Sequence, residues 1–77
     1  MDKILQMLSD LRPEFDFSAS ENFIEDGYLD SFDVVALVSG LEEAFHILID
    51  GLDILPENFS SVDSIAGLVV KSGGTLA

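Results

Sequence analysis

The side chain best placed for chemistry in this 77-residue sequence is the hydroxyl of Ser31. Ser31 follows Asp30 and precedes a run in which apolar residues recur every three or four positions, so the pair stands where a helix is predicted to begin. Asp30 can cap the free amides of that helix, which leaves the Ser31 hydroxyl facing solvent. An isolated Asp-Ser pair at such a position is far more often an ordinary helix cap than a site of covalent attachment, so the neighbouring sequence has to decide between the two.

A catalytic serine is the first alternative, and it needs a general base within hydrogen-bond reach. The sequence has one histidine, His46, at the other end of the predicted helix. At 1.5 Å per residue the two side chains lie about 22 Å apart, so they cannot act together. We therefore assign no catalytic residue and expect the chain not to be an enzyme.

A calcium-binding loop is the second alternative, because small acidic helical proteins include the EF-hands. With Gly27 at the glycine of the EF-hand loop, Ile24 falls on the third position, where an oxygen ligand is required. An isoleucine cannot coordinate a cation, and Gly51 fits no better, because His46 and Leu48 would then be ligands. We assign no metal site.

The composition restricts the partners that the chain can bind. Fifteen acidic residues against three basic ones give a formal net charge of −12, which repels nucleic acid and anionic lipid and favours basic patches on other proteins. Cysteine is absent, so any thiol chemistry must come from an attached group. No apolar run reaches the roughly 18 to 20 residues of a membrane span, and we expect a monomeric cytoplasmic protein without membrane insertion.

Periodicity predicts an all-α fold, a small bundle of three longer helices and one short third helix. The first helix covers residues 2–12 and ends at Pro13, and a long loop held by aromatic side chains follows. The second helix opens at Asp30 and runs to about Ile47; the short element lies around residues 56–59. The last helix begins after Ser60 or Ser61 and ends near Lys71, which gives a domain of residues 1–72 and a flexible tail of residues 73–77.

The second helix has an apolar side and an opposite, outward side. Gly40 on this helix predicts a close contact with another helix. The predicted core residues are Val34, Leu37, Val38, Leu41, Phe45 and Leu48. The predicted outward residues are Phe32, Val35, Ala36, Ser39, Glu42, Glu43 and His46.

Three segments together resemble the acyl carrier protein family. Asp30-Ser31-Phe32-Asp33, preceded by Glu25-Asp26-Gly27 and followed by Leu41-Glu42-Glu43-Ala44-Phe45, resembles that family's phosphopantetheine attachment helix. Two further segments, Leu55-Pro56-Glu57-Asn58-Phe59 and Val62-Asp63-Ser64-Ile65, resemble its short third helix and the start of its fourth. The resemblance covers nearly the whole chain in the same order.

The resemblance implies that a separate phosphopantetheinyl transferase attaches 4'-phosphopantetheine from coenzyme A to Ser31, next to Asp30. The arm would then hold an acyl or aminoacyl group as a thioester and present it to loading ligases and acyl-processing enzymes with basic docking patches. The surface implied for these partners comprises Phe32, Asp33, Val35, Ala36, Ser39, Glu42 and Glu43. The alternative is an unmodified carrier-like module that only binds other proteins.

Some residues depart from the commonest fatty-acid carriers. Tyr28-Leu29 precedes Asp30 where Gly-Ala is more usual, and Phe32 replaces leucine. These features resemble specialised carriers, including the D-alanyl type. Fatty-acid, polyketide and aminoacyl biosynthesis all stay open as the pathway.

Overall fold

A computed structural model describes residues 2–19 and 21–75, and within them the chain is all-helical without a β-strand. Three α-helices, α1 (Asp2–Leu11), α2 (Ser31–Phe45) and α3 (Val62–Lys71), form the frame. Single turns of 3-10 helix occur at Phe17–Ala19, Gly51–Asp53 and Pro56–Phe59. The all-α prediction is thereby confirmed.

Helix α1 follows the predicted pattern closely. Ile4 and Leu8 on its inner side are fully buried. The amide of Arg12 still donates to the carbonyl of Leu8, and the helix stops there because Pro13 has no amide hydrogen with which to continue the ladder. Met7 on the same helix lies against α2 at Gly40, where an added Cβ would stand 2.9 Å from the Met7 Cε. The close contact predicted at Gly40 is therefore confirmed, and α1 is the neighbour.

Helix α2 begins at the predicted place but ends earlier than predicted. It stops at Phe45 because His46 takes a left-handed conformation, with φ 56° and ψ 49°, and its amide donates to the carbonyl of Glu42. The prediction that Leu48 belongs to the core is wrong, since its side chain is 85% exposed beyond the end of the helix. Ile47 and Ile49, in the irregular segment that follows, are buried instead.

The loop between α1 and α2 is held by aromatic side chains, as predicted. The rings of Phe15 and Tyr28 stack with centroids 4.5 Å apart, and Phe17 packs edge-on against Phe23 at 5.0 Å. The backbone of Phe23 donates to Ser60 and accepts from the amides of residues 28 and 29. Gly27 allows this reversal because its φ of 76° is costly for other residues. The loop therefore delivers residues 28–30 to the start of α2 in a fixed direction.

The predicted short helix is a four-residue 3-10 helix, Pro56–Phe59, so a bundle of four α-helices is not confirmed. Its Phe59 is fully buried. Ser61, one of the two predicted caps, accepts from the amide of Ser64 and starts α3. Gly73 and Gly74 donate to carbonyls of the last turn of α3, so the first residues of the predicted tail are attached to that helix. Residues 76 and 77 of that tail lie outside the described residues.

The core fills the space enclosed by the three helices and the two long connections. Its largest fully buried side chains come from every part of the fold: Ile4, Leu8, Phe23, Leu41, Phe59, Ile65 and Val69. Of the predicted core positions on α2, Leu37 and Val38 are also buried, while Val34 and Phe45 are partly buried against the cluster. Among the described residues, no helix has the length and apolarity needed to cross a membrane.

Candidate functional site

Ser31 is the first residue of α2, and its side chain is exposed. Leu29, two residues earlier, is buried and anchors the approaching chain. Asp30 between them is extended, with φ −114° and ψ −174°, which turns the chain from the loop into the helix. Within the described residues the Ser31 hydroxyl makes no hydrogen bond. The oxygen is therefore accessible to a reagent from solvent.

Asp30 and Asp33 form a capping box around Ser31. The amide of Asp33 donates to Asp30 Oδ1 at 2.9 Å, and the amide of Asp30 donates to Asp33 Oδ2 at 3.2 Å. The bond from the Asp33 amide is the main reason that the pKa of Asp30 lies below its ordinary value of 3.8, and the nearby Arg12 charge lowers it further. The predicted cap is confirmed, and the two reciprocal bonds fix the backbone on both sides of the serine.

Arg12 joins this cap from the end of α1, a contact that the sequence pattern does not predict. Its Nε and Nη2 lie 3.0 Å and 2.9 Å from Asp33 Oδ2, and Nη2 lies 3.6 Å from Asp30 Oδ2. The hydrogen bond to Asp33 raises the pKa of Arg12 above its already high ordinary value. The composition does indicate that Arg12 pairs with a carboxylate, because three basic residues stand against fifteen acidic ones and each cation has many carboxylates to pair with.

The prediction that Asp33 offers its charge to partner proteins disagrees with its position. Asp33 is 7% exposed, the one buried charged residue in the described chain, and its carboxylate is occupied by Arg12 and the Asp30 amide. The third position of a helix points its side chain back toward the cap, and here also toward the end of α1. Asp33 therefore supports the site from inside.

The other residues of the predicted partner surface run along α2 from the end that carries Ser31. They are here called the docking face: Phe32, Val35, Ala36, Ser39, Glu42 and Glu43. Phe32 is 84% exposed and Val35 is 65% exposed. Ala36, Ser39 and Glu43 are also exposed. Glu42 is half-buried, and its carboxylate accepts from the amide of Ile49, so part of its charge is used within the fold. The docking face thus combines large exposed apolar groups with acidic ones.

A cleft of about 280 Å³ opens directly beside Ser31. Its walls are mostly apolar, and its polar members, Asp30 and Ser31, belong to the cap. The lining residues are Ile24, Leu29, Asp30, Ser31, Val34, Val35, Ile54 and Pro56. A larger depression of about 510 Å³, between α1, the first loop and the start of α3, includes neither Asp30 nor Ser31. The cleft beside Ser31 is the one that a group attached there could enter.

Ser31 is exposed at the start of α2, and His46 lies beyond its other end. Ser31 opens α2 and His46 follows its last residue, so the rise of a 15-residue helix, about 22 Å, separates the two. No protein-family model matches the chain, and the searches of curated proteins and of solved structures found no match. The site combines an exposed hydroxyl on a fixed backbone, the positive end of a helix and a neighbouring apolar cleft.

Proposed function

We propose that the chain is an acyl carrier protein that holds 4'-phosphopantetheine on Ser31 and has no catalytic activity of its own. The observation that carries the proposal is the exposed Ser31 hydroxyl on the first residue of α2, inside the motif Asp30-Ser31-Phe32-Asp33. A separate phosphopantetheinyl transferase would attach the arm from coenzyme A. The arm, once attached, supplies the thiol that this cysteine-free chain lacks, and holds an acyl or aminoacyl group as a thioester.

The residues around Ser31 suit a phosphate linkage. Ser31 and Phe32 occupy the first turn of α2, where the helix dipole favours negative charge. Arg12 partly neutralises Asp30 and Asp33, the two carboxylates nearest the linkage in sequence, so that a further negative group meets less repulsion. These features support attachment at Ser31.

The neighbouring cleft suits a tethered group with an apolar part. Ile24, Val34 and Ile54 contribute to its walls, and it opens at the attachment residue itself. An apolar portion of the arm or its cargo would leave water by entering this cleft. In this proposal the 3-10 helix Pro56–Phe59 takes the place of the short third helix of a four-helix carrier bundle, since its Pro56 lines the same cleft.

The docking face would meet the transferase, a loading ligase and acyl-processing enzymes in turn. A net charge of −12 accelerates encounter with basic patches, while exposed Phe32 and Val35 supply apolar contact. Each exposed ion pair at the rim contributes only about 0.2–1 kcal/mol, which suits contacts that must also release. The protein would act in the cytoplasm as a monomer.

The test is incubation of purified protein with a broad-range phosphopantetheinyl transferase, coenzyme A and magnesium, followed by intact-mass measurement. Ser31→Ala should gain nothing, whereas Ser39→Ala, which removes another exposed hydroxyl from the same helix, should gain one arm. If Ser31→Ala is modified as well as the wild type, the site is wrong. If the wild type stays unmodified while a control carrier reacts, the chain is an unmodified interaction module.

A further inference from the structure

The three basic residues of the chain all form contacts within the fold. Lys3 Nζ donates to the carbonyl of Ala44 at the end of α2, and Lys71 pairs with Asp53 at 2.7 Å. Arg12 pairs with the carboxylates at the start of α2. Each cation therefore links one helix end to another segment, and Arg12 links the end of α1 to the segment that carries Ser31.

The shortest contacts of Arg12 lead to the backbone next to Ser31 through one atom, Asp33 Oδ2, while a longer contact of 3.6 Å joins Arg12 Nη2 to Asp30 Oδ2. Asp33 Oδ2 accepts from Arg12 Nε at 3.0 Å and from the amide of Asp30 at 3.2 Å, and Arg12 Nη2 lies 2.9 Å from it. Because Asp33 is buried, its charge depends on a partner that compensates for lost water. Without Arg12, the buried carboxylate loses the partner that holds it in place, and a turn toward solvent weakens its hold on the Asp30 amide.

We propose that Arg12 is a positioning residue for the modification of Ser31: through Asp33 it fixes the backbone of Asp30, and with it the direction of the Ser31 hydroxyl. The inference rests on the proposed function and adds a residue from another helix to it. Arg12 lies 19 positions before Ser31 in the sequence and acts at the site by way of Asp33. It is not required to contact the transferase.

The experiment measures the kinetics of transfer to Arg12→Gln, with Lys3→Gln as the matched control. Both substitutions remove one positive charge and change the formal net charge from −12 to −13. A misdirected hydroxyl lowers kcat, by about 10- to 100-fold if it moves by around an ångström. The KM for the carrier should change little, because the docking face is intact. Lys3→Gln should keep wild-type kcat and KM.

The division between kcat and KM separates positioning from a general loss of stability. A variant that is only less stable presents less folded substrate, which raises the apparent KM and leaves kcat unchanged. If Arg12 acts through Asp33, the double variant Arg12→Gln/Asp33→Asn should lose no more kcat than the more impaired single variant. Independent, multiplied losses would overturn the proposal.

Circular dichroism identifies which variants are folded before the kinetics are compared. If Arg12→Gln does not fold, Arg12→Lys replaces it, since lysine keeps the charge but cannot reproduce the contact through two nitrogens, and kcat should again fall. If the folded variant, Arg12→Gln or its replacement Arg12→Lys, keeps the wild-type kcat, the proposal is overturned. Failure of the wild type to be modified, beside a reactive control carrier, overturns the proposed function and this inference with it.

Discussion

Replacing His46 by glycine should stabilise the protein, because this residue ends α2 in a conformation that suits glycine. Its φ of 56° and ψ of 49° are left-handed, and no other non-glycine residue with positive φ occurs among the described residues. A left-handed conformation costs an L-residue about 1–2 kcal/mol. Glycine avoids this cost but loses about 0.5–1 kcal/mol through its greater freedom in the unfolded chain. At the middle of these two ranges the net gain is a little under about 1 kcal/mol.

The control is His46→Ala, which removes the imidazole and keeps the Cβ that causes the strain. His46 is exposed, so neither substitution leaves a cavity. Urea unfolding followed by circular dichroism should give His46→Gly a free energy of unfolding about 1 kcal/mol above that of His46→Ala. In thermal unfolding the same difference corresponds to about 4–8 °C in Tm for a domain of this size. Equal stability of the two variants would refute the conformational reasoning. Both should accept phosphopantetheine as the wild type does, because His46 lies at the far end of α2 from Ser31.

Three further predictions follow from burial, charge and the cap. Phe23→Ala should cost about 3–5 kcal/mol of the free energy of unfolding, whereas Phe32→Ala, on the exposed docking face, should cost less than about 0.5 kcal/mol; urea titration of both distinguishes core from surface. The lowered pKa of Asp30 means that its ionised form stabilises the fold above its ordinary value of 3.8 and that this contribution is lost as the pH falls through the folded value. The wild type should therefore lose its advantage in free energy of unfolding over Asp30→Ala as the pH falls through the folded pKa of Asp30. A difference that stays constant with pH would show that charge plays no part in the cap. Association with a partner enzyme, measured by stopped flow, should slow as salt rises, and rates that stay flat would contradict electrostatic docking.

The start of α2 was predictable from sequence because its signals are local. Asp30 caps within three residues, and the apolar spacing after it sets the direction of the helix. Gly40 also predicted a close helix contact, although the sequence did not identify Met7 as the neighbour. A helix contact depends on how the chain returns, and the spacing within one helix does not contain that information.

The end of α2 was not predictable from the same kind of signal. Neither glycine nor proline marks the stop, and Leu48 continues the apolar spacing, so the pattern extended the helix past its real end. Burial alternates in the segment after the helix, with Ile47 and Ile49 buried and Leu48 exposed. The sequence spacing fits both a continued helix and this alternate burial, and packing against the core favours the alternate burial.

The position of Asp33 was missed for a different reason. The resemblance to acyl carrier proteins implied that Asp33 offers its charge to partner proteins, and acidic residues in the first turn of a helix are commonly exposed. Its burial depends on Arg12, which is 21 residues earlier and reaches the site only because α1 packs on α2. Long-range ion pairs of this kind are invisible to periodicity and propensity.

The central claim is that Ser31 accepts a phosphopantetheine arm, and the most direct measurement is fragmentation mass spectrometry of the wild-type chain after reaction with transferase and coenzyme A. The proposal predicts one added arm per chain, with the added mass on a fragment that contains Ser31 and on none that lacks it. An unmodified chain beside a reactive control carrier, or an arm located on any other serine, would contradict it.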